Sequence, residues 1–314
     1  MVNKNGNTIA VASGGDESFA MPVAVSMYSV KENYTGNKKL TFYILDGGMS
    51  KKSISKINTI LGVQNVKWLR PDISKLRRFP KMGHLNEFAY MRLFLPEILE
   101  EKLKNIIYLD GDTVTNRSIH KIISPKVNHY SVSAVRDFGG PVASSQYALK
   151  EVYRDLNIHP NTPIFNSGVV IINIEKWKKD EVFDKCVRYL ERFGSRVRLA
   201  DQEALNAVLV GNWGEISWKW NVQVGALKSF ESWEPSEFKS KISKNKDRLL
   251  SDPYIAHFVG SRKPWKTGLN NPCGTLFVKY LRRSGWFSEY EFYKWYAKWF
   301  VRASLDAGGN MLNR

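Results

Sequence analysis

Asp110 and Asp112 stand on either side of a single glycine at the end of an apolar run, Ile106-Ile-Tyr-Leu109. A run of that kind reads as a strand covered on both faces. Open α/β sheets bind ligands beyond the carboxyl ends of their strands. On an extended segment, two carboxylates two residues apart share a face at roughly 6–7 Å. Both then reach one divalent cation at about 2.1 Å per metal–oxygen bond. Gly111 would leave the backbone between them open to a ligand. The plain alternative is an ordinary turn, since about one Asp-x-Asp triplet is expected from composition in a chain of this length.

Three further clusters could join that pair. Phe165-Asn-Ser-Gly168 leads into the apolar run Val169-Val-Ile-Ile-Asn173. Asn-Ser-Gly before a strand is ordinarily a turn; the functional reading has Asn166 hydrogen-bonding a polyol, with Gly168 permitting close approach. Asp201-Gln202-Glu203 opens a helical segment. Capping and the helix dipole account for a carboxylate at Asp201, but less well for Gln202, an amide that both donates and accepts. His257-Phe-Val-Gly260-Ser-Arg-Lys263-Pro-Trp265 follows a short apolar strand. A histidine there is ordinarily structural. Here Gly260 can make a tight turn beneath a phosphate, and Lys263 is a point charge nearby. An imidazole added to two carboxylates favours a transition metal such as Mn²⁺ over Ca²⁺.

These residues need a scaffold, and its pattern is readable. Ile9–Ala12 reads as a first strand, followed by a turn at Ser13-Gly14-Gly15-Asp16. A helix starts at Pro22 and carries Val23, Val25, Met27 and Val30. Leu40–Leu45 is a strand, Ser50–Leu61 a helix and Val63–Leu69 a strand. Asn105–Asp110, Ser131–Val135 and Val169–Ile174 supply more strands, and Lys178–Arg192 and Asp201–Val210 more helices. The alternation predicts an α/β fold with a mainly parallel central sheet and helices on its faces. Past Gly211 the pattern breaks up, with Trp213, Trp218, Trp220 and Trp233 among polar residues.

From Trp286 to Phe300, nine of fifteen residues are aromatic. Phe292, Tyr293, Tyr296, Trp299 and Phe300 follow helical spacing, with Lys294, Lys298 and Arg302 as a separate row. This is either a helix packed on the main domain or a peripheral helix on an anionic membrane. No repeat or low-complexity linker is present. The economical division is a main domain over 1–270 and a basic, aromatic helical appendage over 271–314.

The chain has 314 residues, 43 % hydrophobic and 25 % charged, ordinary for a globular protein. Its 47 Lys and Arg against 30 Asp and Glu leave a net charge of +17. Such a surface attracts nucleic acid, anionic lipid or nucleotide phosphates without choosing among them. Two distant cysteines, Cys186 and Cys273, form no disulfide framework and no zinc site, which implies a reducing compartment. The polar start is not a signal peptide, and no stretch approaches the ~18 apolar residues of a membrane span. The expected location is cytoplasmic.

Taken together and in this order, Tyr108-Leu-Asp-Gly-Asp-Thr-Val114, Phe165–Asn173, Asp201-Gln202 and His257–Trp265 resemble the retaining glycosyltransferases of family 8, including bacterial galactosyl- and glucosyltransferases. The resemblance spans roughly Thr8 to Trp265. It implies the GT-A type of nucleotide-sugar-binding fold, a divalent cation (usually Mn²⁺, with Mg²⁺ as the alternative) and a UDP-hexose donor. It also implies a glycan, glycoprotein or lipid-linked acceptor. By this resemblance Asp110, Asp112 and His257 hold the metal, and Gly111, Gly260 and Lys263 lie at the diphosphate. Ala12, Asp16, Ser18 and Phe19 lie at uracil and ribose. Arg92 sits near the donor sugar and phosphate, with His84 close by, and Asp137, Asn166, Asp201 and Gln202 surround the transferred sugar. Where the family often has Asn then Tyr, this chain has Ser18-Phe19, which keeps ring stacking but loses a hydroxyl; Gly14-Gly15 would make that first loop flexible.

The same resemblance places neutral Gln202 nearest the face where a double displacement would need a nucleophile, so same-face attack is expected. From other classes, a nucleic-acid-binding protein would fit the charge, but the basic residues are dispersed and no such signature appears. A metal-dependent phosphoryl-transfer enzyme would fit Asp110 and Asp112, but the chain lacks a phosphate-cradling glycine-rich loop before a helix.

Overall fold

The computed structural model describes residues 8–72, 87–99, 103–228, 236–267 and 272–312. Ten strands are described: β1 (Thr8–Gly15), β2 (Lys39–Asp46), β3 (Val66–Leu69), β4 (Asn105–Leu109), β5 (Thr113–Thr115), β6 (Val132–Arg136), β7 (Phe165–Asn173), β8 (Gly214–Glu215), β9 (Val222–Gln223) and β10 (Ile255–His257). Seven of them form one sheet in the order β3-β2-β1-β4-β7-β6-β8, and β5-β10-β9 form a small second sheet. β1 runs parallel to β2 and β4, while β7 runs antiparallel to both β4 and β6. The sheet is therefore mixed, with its parallel half nearer the N-terminus.

The apolar runs are continuous because the large sheet is covered on both faces. Val11, Ile44, Ile107, Leu109, Val169 and Ile171 point into one apolar layer. Their strand neighbours Ala10, Ala12, Tyr43, Ile106, Tyr108, Val170 and Ile172 point into the other. All nine residues of β7 are buried. Each fully buried Val, Leu or Ile in such a layer stabilises the fold by roughly 1.5–3 kcal/mol.

Several elements differ from the sequence reading, each for a local reason. Ser13, Gly14 and Gly15 extend β1, pairing with Ile44, Leu45 and Asp46, and are not a turn. A Cβ on Gly14 would lie 2.5 Å from the Leu45 Cβ, so this glycine serves close strand packing. Phe165-Asn-Ser-Gly168 likewise belongs to β7, and the irregularity lies in its pairing: Ala134 faces Val170, but the next residue, Val135, faces Asn166. That bulge sets Ser167 and Gly168 apart from the β6 ladder, the kind of distortion that re-aims side chains beside active sites. The helix expected over Lys178–Arg192 is two helices, Ile174–Lys179 and Val182–Phe193, broken where Glu181 takes a left-handed conformation (φ 52°). Val63–Asn65 is a 3₁₀ turn ahead of β3.

Ser50 caps the helix Lys51–Leu61 through the Ser53 N–H. Pro22 sits in the first turn of the helix Ala20–Asn33, where its missing N–H is not needed. In the stretch without clear pattern, Glu237–Ser251 is a helix capped by Ser236 and held by only Phe238, Ile242 and Leu249. Its other positions are mostly polar, which hides the periodicity. The C-terminal helices Gly274–Ser284 and Glu289–Leu312 pack into the first apolar layer through Phe277, Tyr280, Leu281 and Phe292, with Trp286 of the link between them. The Trp299 indole donates to the Pro264 carbonyl at 2.6 Å.

Candidate active site

Asp110 follows β4 directly and its N–H donates to the Gly168 carbonyl of β7 at 2.8 Å. The next residues do not run on as a strand. The Thr113 N–H reaches back to the Asp110 carbonyl at 3.1 Å, closing a turn, and the Thr113 hydroxyl does the same at 2.8 Å. The two carboxylates are thus brought together by a turn between two sheets, where an extended segment was expected. Gly111 is required by packing: a Cβ there would lie 2.8 Å from Val23 Cγ2 and 3.3 Å from the Phe19 ring.

His257 arrives from β10, which pairs with β5 so that His257 faces Thr113. Its Nε2 lies 3.3 Å from Asp112 Oδ1 and 3.7 Å from Asp110 Oδ2. One ligand atom from each of Asp110, Asp112 and His257 falls within 4.8 Å of the others. Gly168 makes room for this group, because a Cβ on it would run into the His257 ring and lie 2.7 Å from Asp110 Oδ2. The close approach foreseen for a ligand at Gly168 is made by the protein's own imidazole and carboxylate.

Two cations press on the cluster. Lys263 Nζ pairs with Asp112 and donates to the Phe258 carbonyl at 2.8 Å; Gly260, with φ +83°, turns the chain between them. Arg92 donates to Asp110 at 2.9 Å, pairs with Asp201 and donates to the Ser167 carbonyl. Its guanidinium lies 4.7 Å from the centre of the Tyr108 ring. Burial opposes a charge on Arg92, but Asp110 and then Asp201 more than offset it and hold it protonated. Burial would raise the Asp112 carboxyl, yet Lys263 and His257 pull it well below the usual carboxylate range. Burial pushes Asp201 up to about 7 against the pull of Arg92.

Beside the charges lies a layer of amides. Gln202 Oε1 accepts from the Ser167 N–H at 3.0 Å, from Asn166 Nδ2 at 3.2 Å and from the Ser167 hydroxyl at 3.3 Å. Gln202 Nε2 and Asn166 Nδ2 both donate to Asp137 Oδ2, at 3.1 and 3.0 Å. The Gly140 N–H donates to Asp137 Oδ1 at 2.7 Å. The helix Ala200–Val208 that carries Asp201 and Gln202 has no side-chain cap at its first position. Instead Glu203 accepts from the Arg198 and Leu199 N–H groups at 2.7 and 3.1 Å, which leaves Asp201 to face Arg92.

The structure therefore joins Arg92, Asp110, Asp112, Asp137, Asn166, Asp201, Gln202, His257 and Lys263 in one polar cluster. The loop after β1 borders it through Phe19, which touches the Gly111 position and stacks edge-on with Trp265 at 5.9 Å. Asp16 caps that loop, accepting from the Ser18 N–H at 2.9 Å and hydroxyl at 2.6 Å, so the loop after Gly14-Gly15 is tied down. The Ala12 side chain is fully buried between Tyr43 and Tyr108 of the neighbouring strands. His84 lies outside the described residues. Sequence reasoning missed Asn221 and Gln223. Asn221 Oδ1 pairs with His257 Nδ1 at 2.9 Å, and the Gln223 side chain bridges the Phe138 N–H and the Arg136 carbonyl. The signal was present in Trp220-Asn-Val-Gln-Val224, an apolar–polar alternation whose polar members are buried.

A mixed sheet with an acidic pair past β4 and buried amides around it is the frame of a GT-A glycosyltransferase. The galactosyltransferase LgtC, solved with donor and acceptor sugar analogues, matches with a TM-score of 0.75 at 19 % identity, over 90 % of this chain and 98 % of that one. Residues 10–268 match glycosyl transferase family 8. The chain belongs to that family and is a retaining glycosyltransferase. Its relatives include General stress protein A of Bacillus subtilis (strain 168), 26 % identical over 282 residues, 88 % of this chain and 94 % of that protein. A lipopolysaccharide 1,2-glucosyltransferase of Escherichia coli is 26 % identical over 284 residues, 89 % of this chain and 79 % of its own length.

Proposed function

We propose that the protein moves a hexose, glucose or galactose, from a UDP-hexose donor to a glycan, glycoprotein or lipid-linked acceptor. Asp110, Asp112 and His257 would hold Mn²⁺, with Mg²⁺ as the alternative. The observation that carries this reading is the cluster of two carboxylates and an imidazole, with Lys263 at its edge. Two oxygen donors and one nitrogen donor suit a borderline divalent ion, and they converge from the turn after β4 and from β10, far apart in the chain. A cation bound there supplies positive charge to the diphosphate as it leaves.

The protein's own groups do the rest. Lys263 and Arg92 are fixed cations that can re-pair with phosphate oxygens, each such preorganised group being worth roughly 3 kcal/mol. Asp137, Asn166 and Asp201 orient sugar hydroxyls. Gln202 is a poor nucleophile, since its carbonyl oxygen already accepts three hydrogen bonds. This supports same-face attack, with the leaving phosphate taking the acceptor proton. A covalent sugar on Gln202 or Asp201, found by intact-protein mass spectrometry, would overturn that step. Ala12, through its backbone, and Asp16, Ser18 and Phe19 are assigned to the base and ribose. Gly260 and Gly111 are assigned to the phosphates, and catalysis to residues 1–270. The test is UDP release from UDP-glucose, UDP-galactose and their N-acetyl forms, with Mn²⁺, with Mg²⁺ and with chelator. Release that ignores the chelator would remove the metal from the reading.

No helix among the described residues is long and apolar enough to cross a membrane. Tyr290, Tyr293 and Phe300 are nonetheless exposed on the last helix beside Lys294 and Lys298. We place the enzyme in the cytoplasm with this helix at the inner membrane face, a reading supported by the two free cysteines. Removing 276–314 would strip Phe277 and Tyr280 from the core, so the test is Tyr290→Ser, Tyr293→Ser and Phe300→Ser together. Equal flotation of both proteins with anionic liposomes would remove the membrane claim.

A further inference from the structure

Asn221 is fully buried and lies against the imidazole that faces the two carboxylates. Its orientation is set by groups whose polarity is fixed. At one end, the Asp137 carboxylate can only accept, and it takes Asn166 Nδ2 and Gln202 Nε2. At the other, the Gly168 N–H can only donate, and it gives to Asn166 Oδ1 at 3.1 Å. Asn166 therefore turns its oxygen toward Gly168, and Asn221 Nδ2 donates to that same oxygen at 2.9 Å. With its amino group engaged, Asn221 has only its carbonyl oxygen left for His257 Nδ1. That nitrogen must carry the proton.

We infer that Asn221 is a positioning residue that holds a proton on His257 Nδ1, so that the ring, when neutral, aims its Nε2 lone pair at the space between Asp110 and Asp112. Without this lock, two nearby carboxylate oxygens would favour a proton on Nε2, the nitrogen a cation needs bare. The relay also joins two parts of the site. Gln202, Asn166 and Asp137, assigned to the sugar, set the tautomer of a residue assigned to the metal. A change at one end is thus transmitted to the other by amide orientation. The metal consequence rests on the proposed function, whereas the tautomer does not.

The experiment labels histidine nitrogens and reads their protonation by long-range proton–nitrogen correlation, without metal, at a pH where the ring is neutral. His257→Gln identifies the resonance among the five histidines. The expected wild-type result is a protonated Nδ1 and a bare Nε2. Asn221→Ala should move the proton to Nε2 and weaken Mn²⁺ binding, read by electron paramagnetic resonance of the free ion, about 10–100-fold. Asn221→Asp keeps an acceptor and should keep the native tautomer. A wild-type ring protonated on Nε2 overturns the inference, even if neither variant folds. So does an unchanged tautomer in Asn221→Ala. A wild type that shows the expected tautomer but binds no Mn²⁺ defeats the metal assignment and leaves the lock standing.

Discussion

The site has two halves built on opposite principles. Around Asp110, Asp112, Lys263 and Arg92, charges are paired with one another across largely buried ground. Around Asp137, Asn166, Gln202 and Asn221, mostly neutral amides interlock with each other and with backbone N–H groups. Phosphates and a cation can replace partners in the first half, because the ion pairs there exchange one charged partner for another. In the second half the amide groups already hold one another, so removing one leaves buried polar groups unsatisfied. The charged half is built to be rearranged by the substrate, and the amide half to stay as it is.

If that contrast holds, substitutions should separate activity from stability. The largest effect is expected from Asp112→Asn, which should lower UDP release about 10³-fold or more; the stability it loses by stranding Lys263 should return when Lys263→Met is added, although the activity should not. A loss of stability that persists in the double variant would erase the distinction between the halves. Asn166→Ala should instead lower stability in a way that no second substitution in the charged half repairs, read in a denaturant titration. Stranding Asp137, Asn221 and the Gly168 N–H, it should cost about 3 kcal/mol of stability. Lys263→Met should reduce turnover about 10²-fold through a weaker hold on the leaving phosphates.

The smallest effect concerns pH. Asp112 is ionised below its usual range, so its stabilising contribution is complete above the unfolded value of about 3.9 and fades as pH falls through the lower folded value. Measured with chelator, the wild type should lose stability as pH falls below about 4 more steeply than Lys263→Met. Parallel curves would show that Lys263 does not govern Asp112.

Much of the site was legible in the chain. Asp110, Asp112, His257 and Lys263 could be suspected from residue type beside apolar runs, because such runs end where an open sheet presents its ligands. The geometry joining them was not. The Asp-Gly-Asp segment is a turn held by Thr113, and nothing in the triplet distinguishes a turn from an extended segment. Gly14, Gly15 and Gly168 looked like loop punctuation, yet each lies within a strand and is needed for close packing. Asn221 and Gln223 escaped notice because their alternation spans only Trp220–Val224 around the two-residue β9, and in the sequence alone polar members of such an alternation read as exposed.

By itself the sequence determined which strands are buried on both faces, since apolar residues at successive positions feed two separate layers. It also supplied the acids, the imidazole and the amides. Only the tertiary structure decided which of these meet, bringing Lys263 to Asp112 across 151 residues and aligning Asn221 between Asn166 and His257. Burial is encoded by short-range periodicity, which a linear chain displays openly. Hydrogen-bond polarity depends on which distant donor faces which acceptor, and that is settled only when the β6–β7 bulge and the β5–β10 pairing have formed.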